Sequence, residues 1–128
     1  MDLTIDGKDL GSIPIDLLAE RLAGLREVPR AEVWLQDGDR ALCLLKNHDR
    51  ALLMLLREDG DPGLTSRATD LTDDGLMEFT LNNGQVDTHR VAWTVPFDDA
   101  RRALEFFWFQ KSAAPFITWH DHAGQPPF

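Results

Sequence analysis

The chain has 128 residues, 43% of them hydrophobic and 27% charged, with no apolar run near the ~20 residues needed to span a bilayer; it reads as one globular domain around one core. Its 22 Asp and Glu against 13 Lys and Arg give a net charge of −9, which argues against a nucleic-acid binder and favours plain solubility or a basic partner protein. A single cysteine, Cys43, leaves no internal disulfide, and "MDLTIDGKDL" has neither a basic nor an apolar leader segment, so a cytoplasmic location is expected.

In chain order, the first element is a helix over "IPIDLLAERLAGL" after Ser12. Pro14 suits its first turn, Asp16 favours the helix dipole, and Ile15, Leu18, Ala19, Leu22 and Leu25 make one apolar face. Beyond Pro29 the period changes to two. "AEVWLQ", "ALCLLK" and "ALLMLL" predict a three-strand antiparallel meander, turning at Asp37-Gly38 and at "NHD". The third strand is apolar on both faces and should be central, with cover on both sides.

Residues 57–75, "REDGDPGLTSRATDLTDDG", read as loop with a short strand around 64–68. They hold Glu58, Asp59, Asp61, Asp70, Asp73 and Asp74 with only two Arg, the most acidic stretch of the chain. A second hairpin follows, "LMEFTL", "NNG", "QVDTHRVAWTV". A three-residue loop with left-handed Gly84 puts Met77 and Phe79 on a face with His89, Val91, Trp93 and Val95. A two-residue turn at Asn83-Gly84 buries less, so the longer loop is predicted, with Trp93 buried.

Pro96 ends that strand and Phe97-Asp98-Asp99 starts a second helix. Phe97, Ala100, Ala103, Leu104, Phe107 and Trp108 share its apolar face, with Leu104 buried. Phe106 and Phe109 stand off that face; either a neighbouring element covers them or they form an exposed patch. "SAAP" ends the helix. "FITWHD" predicts a last strand with Phe116 and Thr118 on one side and Ile117 and Trp119 on the other. The fold class is α+β: a single domain over residues 1–122, with an antiparallel sheet of about five to seven strands (meander plus hairpin) and two main helices. Residues 123–128 read as a flexible tail.

Little in the residues suggests chemistry. His120 and His122 would project together from a strand and could supply half a metal site, but nothing requires His48 or His89 to converge on them. Cys43 sits mid-strand, as buried cysteines do. Ser12, Ser66 and Ser112 lack a nucleophile-elbow context, the glycines form no phosphate-cradling loop, and Asp73-Asp74 and Asp98-Asp99 read as solvated or capping acids. No catalytic, metal or cofactor residue is therefore assigned. Binding is the stronger expectation, through the acidic residues of 58–74 and the aromatic pair Phe106 and Phe109.

Residues 76–122 carry a Gly84-Gln85 hairpin, a strand leading into "VPFDDARRALEFF" with the small Ala100 and Ala103, and then Pro115 and Trp119. This order resembles the first family of immunity proteins from bacterial polymorphic toxin systems, with a weaker match at "ALLMLLREDGDPG". Where many members end the helix at a glycine, this chain has "QKSAA". The resemblance implies a non-enzymatic antidote, and a monomer is expected rather than an oligomer. It would bind a cognate secreted toxin domain, often a nuclease or nucleic-acid deaminase, and shield its active site without a cofactor. Gly84, Gln85, Trp93, Ala100, Leu104, Pro115 and Trp119 would then be structural signature residues. Two other classes stay open: an acidic secretion chaperone, and a small metal-dependent hydrolase.

Overall fold

The computed structural model describes residues 1–124. Strand pairing starts earlier than the periodicity suggests. Asp6 and Gly7, both at positive φ, close a two-residue turn between β1 (Asp2–Ile5) and β2 (Lys8–Ser12). Asp-Gly is favoured there because both central residues of such a turn must be left-handed.

α1 (Ile15–Ala23) follows, with Pro14 at its N-cap and Leu18, Leu22 and the trailing Leu25 buried. The meander forms as predicted from β3 (Arg30–Asp37), β4 (Arg40–Asn47) and β5 (Arg50–Leu56). Next come β6 (Leu64–Arg67), β7 (Leu76–Thr80), β8 (Val86–Arg90), β9 (Thr94–Pro96), α2 (Phe97–Gln110) and β10 (Thr118–Asp121). The main sheet is antiparallel with the order β10-β6-β5-β4-β3-β1-β2, and β9 shares an edge of β5 with β6. It has eight strands rather than five to seven, because the N-terminal hairpin and short β9 join it.

β9 pairs with Arg50 to Leu52 of β5 and β6 with Met54 and Leu55, so one side chain bridges the junction. The fully buried Ser66 hydroxyl accepts the Leu53 N–H at 3.0 Å and donates to the Trp93 carbonyl at 2.7 Å. Its role is to pair backbone groups that would otherwise be buried unpaired.

The hairpin β7–β8 is a two-stranded layer of its own, not part of the main sheet. Its register is the predicted one. Met77 faces His89, the Leu81 N–H donates to the Gln85 carbonyl at 2.8 Å, and Gly84 has φ +90°. The face breaks after Arg90, where Val91–Trp93 form a 3-10 turn. Trp93 stays beside Phe79 but is only half-buried, and Val95 turns into the opposite core. Strand alternation cannot carry through a helical turn, so both differ from the single-face expectation.

The result is three layers. α1 and α2 cover one face of the sheet, burying Leu3, Leu18, Leu22, Val33, Leu35, Leu44, Leu53, Leu104 and Phe107. The hairpin covers part of the other face, packing Phe79 against Cys43, Leu45 and Leu52. β4 and β5 are apolar on both sides because each side has its own cover. α2 ends with Lys111 in the left-handed conformation, φ 56°, where a glycine would be strain-free. Ile117 packs into the helix-side core, Trp119 packs against it, and Phe116 lies in the turn before β10 rather than in the strand. His122–Gly124 make a 3-10 turn that takes in two residues of the expected tail; the rest of that tail lies outside the described residues.

Candidate functional site

Segment 57–75 is mostly loop, but it does not form one acidic surface. The Asp61 carboxylate lies only 5% exposed beside the Arg57 guanidinium, 2.8 Å from Nε, and also accepts the N–H groups of Arg57 and Gly63. These donors favour the ionised form and hold its pKa well below the usual carboxylate range. Its contribution to stability is therefore present above the ordinary aspartate pKa and fades as pH falls towards the folded value. Arg57 also grips Asp121 of β10 at 3.0 Å. Asp61, one of the candidate contacts, is thus engaged by partners inside the fold.

Asp70 is held by a two-pronged contact with Arg50, at 2.6 and 3.1 Å, and Arg50 donates as well to the hydroxyl and carbonyl of Thr94. Asp73 accepts the Gly75 N–H at 2.7 Å. Glu58, Asp59, Asp73 and Asp74 are exposed and, among the described residues, make no ion pair. Arg50 begins β5 and Arg57 follows its end, so the two acidic limbs sit roughly 20 Å apart along that strand.

The two aromatic candidates have different fates. Phe106 is half-buried, edge-on to Phe116 with ring centroids 6.2 Å apart, and the Arg102 guanidinium lies 4.7 Å over Phe116. Phe109 is 61% exposed and touches Trp108 edge-on. A cavity of about 240 Å³ lined by Arg40, Arg57 and Lys111 joins the end of α2 to the start of the acidic segment. Glu58, Asp59 and Phe109 therefore belong to one end of the molecule, while Asp70 is held at the other.

A third grouping is not visible in the sequence. On the hairpin side of the sheet, rings follow one another from Phe79 to His89, Trp93, His122 and His120, with centroids 4.7 to 6.1 Å apart. Arg67 stacks 4.2 Å over Trp93 and donates to the Thr65 hydroxyl, which also meets His122 Nε2 at 2.7 Å. Burial, then Arg67 and His122, lower the His120 pKa against the pull of Asp121, and burial lowers that of His89 against Asp87. For His120 and His89 the balance favours the neutral imidazole. The i, i+2 spacing of His120 and His122 does bring their rings together, but Trp93 separates His89 from them and His48 lies in the β4–β5 turn. Among the described residues no group of three or more His, Cys, Asp or Glu is placed to hold a metal ion.

The signature residues are mainly internal. Ala100 and Leu104 are fully buried beneath α2, Gly84 makes its turn, and Gln85 caps Asp87 from that turn at 2.7 Å. The Trp119 indole donates to the Ala114 carbonyl at 2.9 Å, fixing the turn that carries the exposed Pro115. No helix among the described residues is long and apolar enough to cross a membrane. Compared with protein-family models and with curated proteins, the chain matches none, so the likeness to immunity proteins rests on the residues quoted for it.

Proposed function

We propose that this protein is an immunity-type antidote that works by binding rather than catalysis, covering the active site of a cognate toxin domain in the bacterial cytoplasm as a monomer. The observation that carries the reading is the uncompensated acid: a net −9, with Glu58, Asp59, Asp73 and Asp74 exposed and outside every ion pair of the described residues. A nuclease or nucleic-acid deaminase needs a basic groove, and acidic side chains can occupy it where phosphates would bind. Phe109 supplies an aromatic anchor of the kind that dominates interfaces, at the same end as Glu58 and Asp59.

The test is co-expression with the toxin domain encoded next to this chain. Relief of toxicity is expected; undiminished toxicity, or an adjacent gene without a toxin domain, sinks the reading. Binding kinetics then identify the limb that docks. Glu58→Gln with Asp59→Asn, or Asp73→Asn with Asp74→Asn, should slow association and flatten its salt dependence, because peripheral charges act through the encounter rate. If neither pair changes the rate, docking does not use the acidic segment. Exposed Phe109 and Phe116 also favour a second reading, a secretion chaperone that holds an apolar effector segment. That class is dimeric, and size-exclusion chromatography separates it from a monomeric antidote.

A further inference from the structure

Among the cavities described, the largest lies away from every surface considered above. It is a groove of about 480 Å³ between α1 and the β1–β2 hairpin, a volume within the range typical of small-molecule sites. Its bed is aliphatic: Ile5 and Leu10 from the hairpin, Leu17 and Leu25 from the helix side. Ile5, Leu10 and Leu17 pack against the main core yet stay partly open, so their outer faces form the groove.

The charges beside it distinguish this groove from an ordinary surface dip. Lys8 and Arg21 line it and are exposed. Of the thirteen Lys and Arg in the chain, ten make an ion pair or a side-chain hydrogen bond. The three that make neither among the described residues are Lys8, Arg21 and Arg90. In so acidic a chain, two of the three uncommitted cations flank a single aliphatic groove. Glu20 also lines it, which leaves the rim with one net positive charge.

We infer that this groove binds an amphipathic anion, an aliphatic chain ending in a carboxylate, with the chain on Ile5, Leu10, Leu17 and Leu25 and the carboxylate between Lys8 and Arg21. The bed has no aromatic ring to stack on a planar ligand and suits a flexible acyl chain. The chain would gain by covering apolar surface now open to water, and the head group by meeting two cations that have no internal carboxylate. This site is independent of the antidote reading, since a basic toxin would be repelled from its rim.

The probe is dodecanoate below its micelle concentration, followed by amide shift perturbation and calorimetry on the full chain. Saturable one-to-one binding is expected, with shifts centred on Leu10, Leu17 and Gly24. Uncharged dodecanol, and the Lys8→Glu/Arg21→Glu variant with dodecanoate, should each bind about tenfold more weakly. Arg90→Glu removes the third uncommitted cation, distant in sequence and outside the groove, and should bind dodecanoate like the parent. All three substitutions are at exposed positions, and a melting curve for each confirms the fold. Shifts that do not saturate or centre elsewhere overturn the proposal. So does equal affinity for dodecanol, equal binding by the double variant, or a loss in Arg90→Glu as large as in the double variant.

Discussion

The two faces of the main sheet are built to different standards. On the helix side, side chains from β1, β3, β4, β5, β9, both helices and the turn before β10 join one continuous buried cluster. On the hairpin side the buried apolar cluster is small, Cys43, Leu45, Leu52 and Phe79, and Trp34, Met54, Met77, Leu81 and Trp93 remain partly open around it. The hairpin is attached to the sheet by a few contacts: Arg30 to the Thr80 hydroxyl, Asn47 to the Glu78 carbonyl, and the Asn82 N–H to Glu32. A two-stranded hairpin has little stability of its own, so this layer depends on a small apolar contact. The same strands, β4 and β5, thus separate a core that should open only with global unfolding from one that should open locally.

Truncation at the centre of each face tests that contrast. Phe107→Ala, in the helix-side core, should cost about 3–5 kcal/mol in denaturant unfolding, with all probes lost together. Phe79→Ala removes the same atoms from the other face. Because the hairpin can settle into the space, its global cost should stay near or below about 3 kcal/mol. Its sharper effect is on Cys43, whose thiol pKa is pushed up by burial and by Glu32, so it reacts only when the hairpin lifts. Cys43 in the variant should react with a thiol reagent under conditions where the helical signal is still native. Equal global losses and unchanged thiol reactivity would show the two faces to be one cooperative core.

A smaller effect is expected at the hairpin's own turn. A Cβ added to Gly84 meets nothing within 4 Å, so Gly84→Val should cost only the backbone strain of its positive φ, about 1–2 kcal/mol. Hydrogen exchange should show that loss concentrated in β7 and β8; an unchanged melting temperature would argue against the left-handed loop. The smallest change should be a gain. Lys111→Gly relieves the left-handed strain at the end of α2 while keeping the carbonyl that accepts from Arg40 at 2.6 Å. An increase of up to about 1 kcal/mol is expected. No gain would mean that the Lys111 ammonium, 3.8 Å from Asp37, offsets the strain.

Much of this architecture is legible in the residues because burial has a local period. The α2 face of Phe97, Ala100, Ala103, Leu104 and Phe107 follows from 3.6-residue spacing, and the meander from its alternation and turn residues. The loop at Gly84 follows too, since only one register brings Met77 opposite His89. The N-terminal hairpin carried a clear signal in Asp6-Gly7 but weak alternation around it.

The candidate sites were far less legible. Periodicity states which side chains need cover, not which element supplies it. Nothing local says that β7–β8 lie across the sheet instead of extending it, or that the chain turns at Val91 and sends Val95 to the other core. Acidic composition marked residues 58–74, but only the fold decided that Asp61 pairs with Arg57 and Asp70 with Arg50, while Glu58 and Asp74 stay in solvent. Likewise Lys8 and Arg21 lie far from remarkable in the sequence, and folding alone sets them beside one groove. The chain's own pattern determines secondary structure and the faces to be buried, because those depend on neighbours three or four residues away. Cover, ion-pair partners and grooves depend on residues dozens of positions apart, and only the packed structure brings those together.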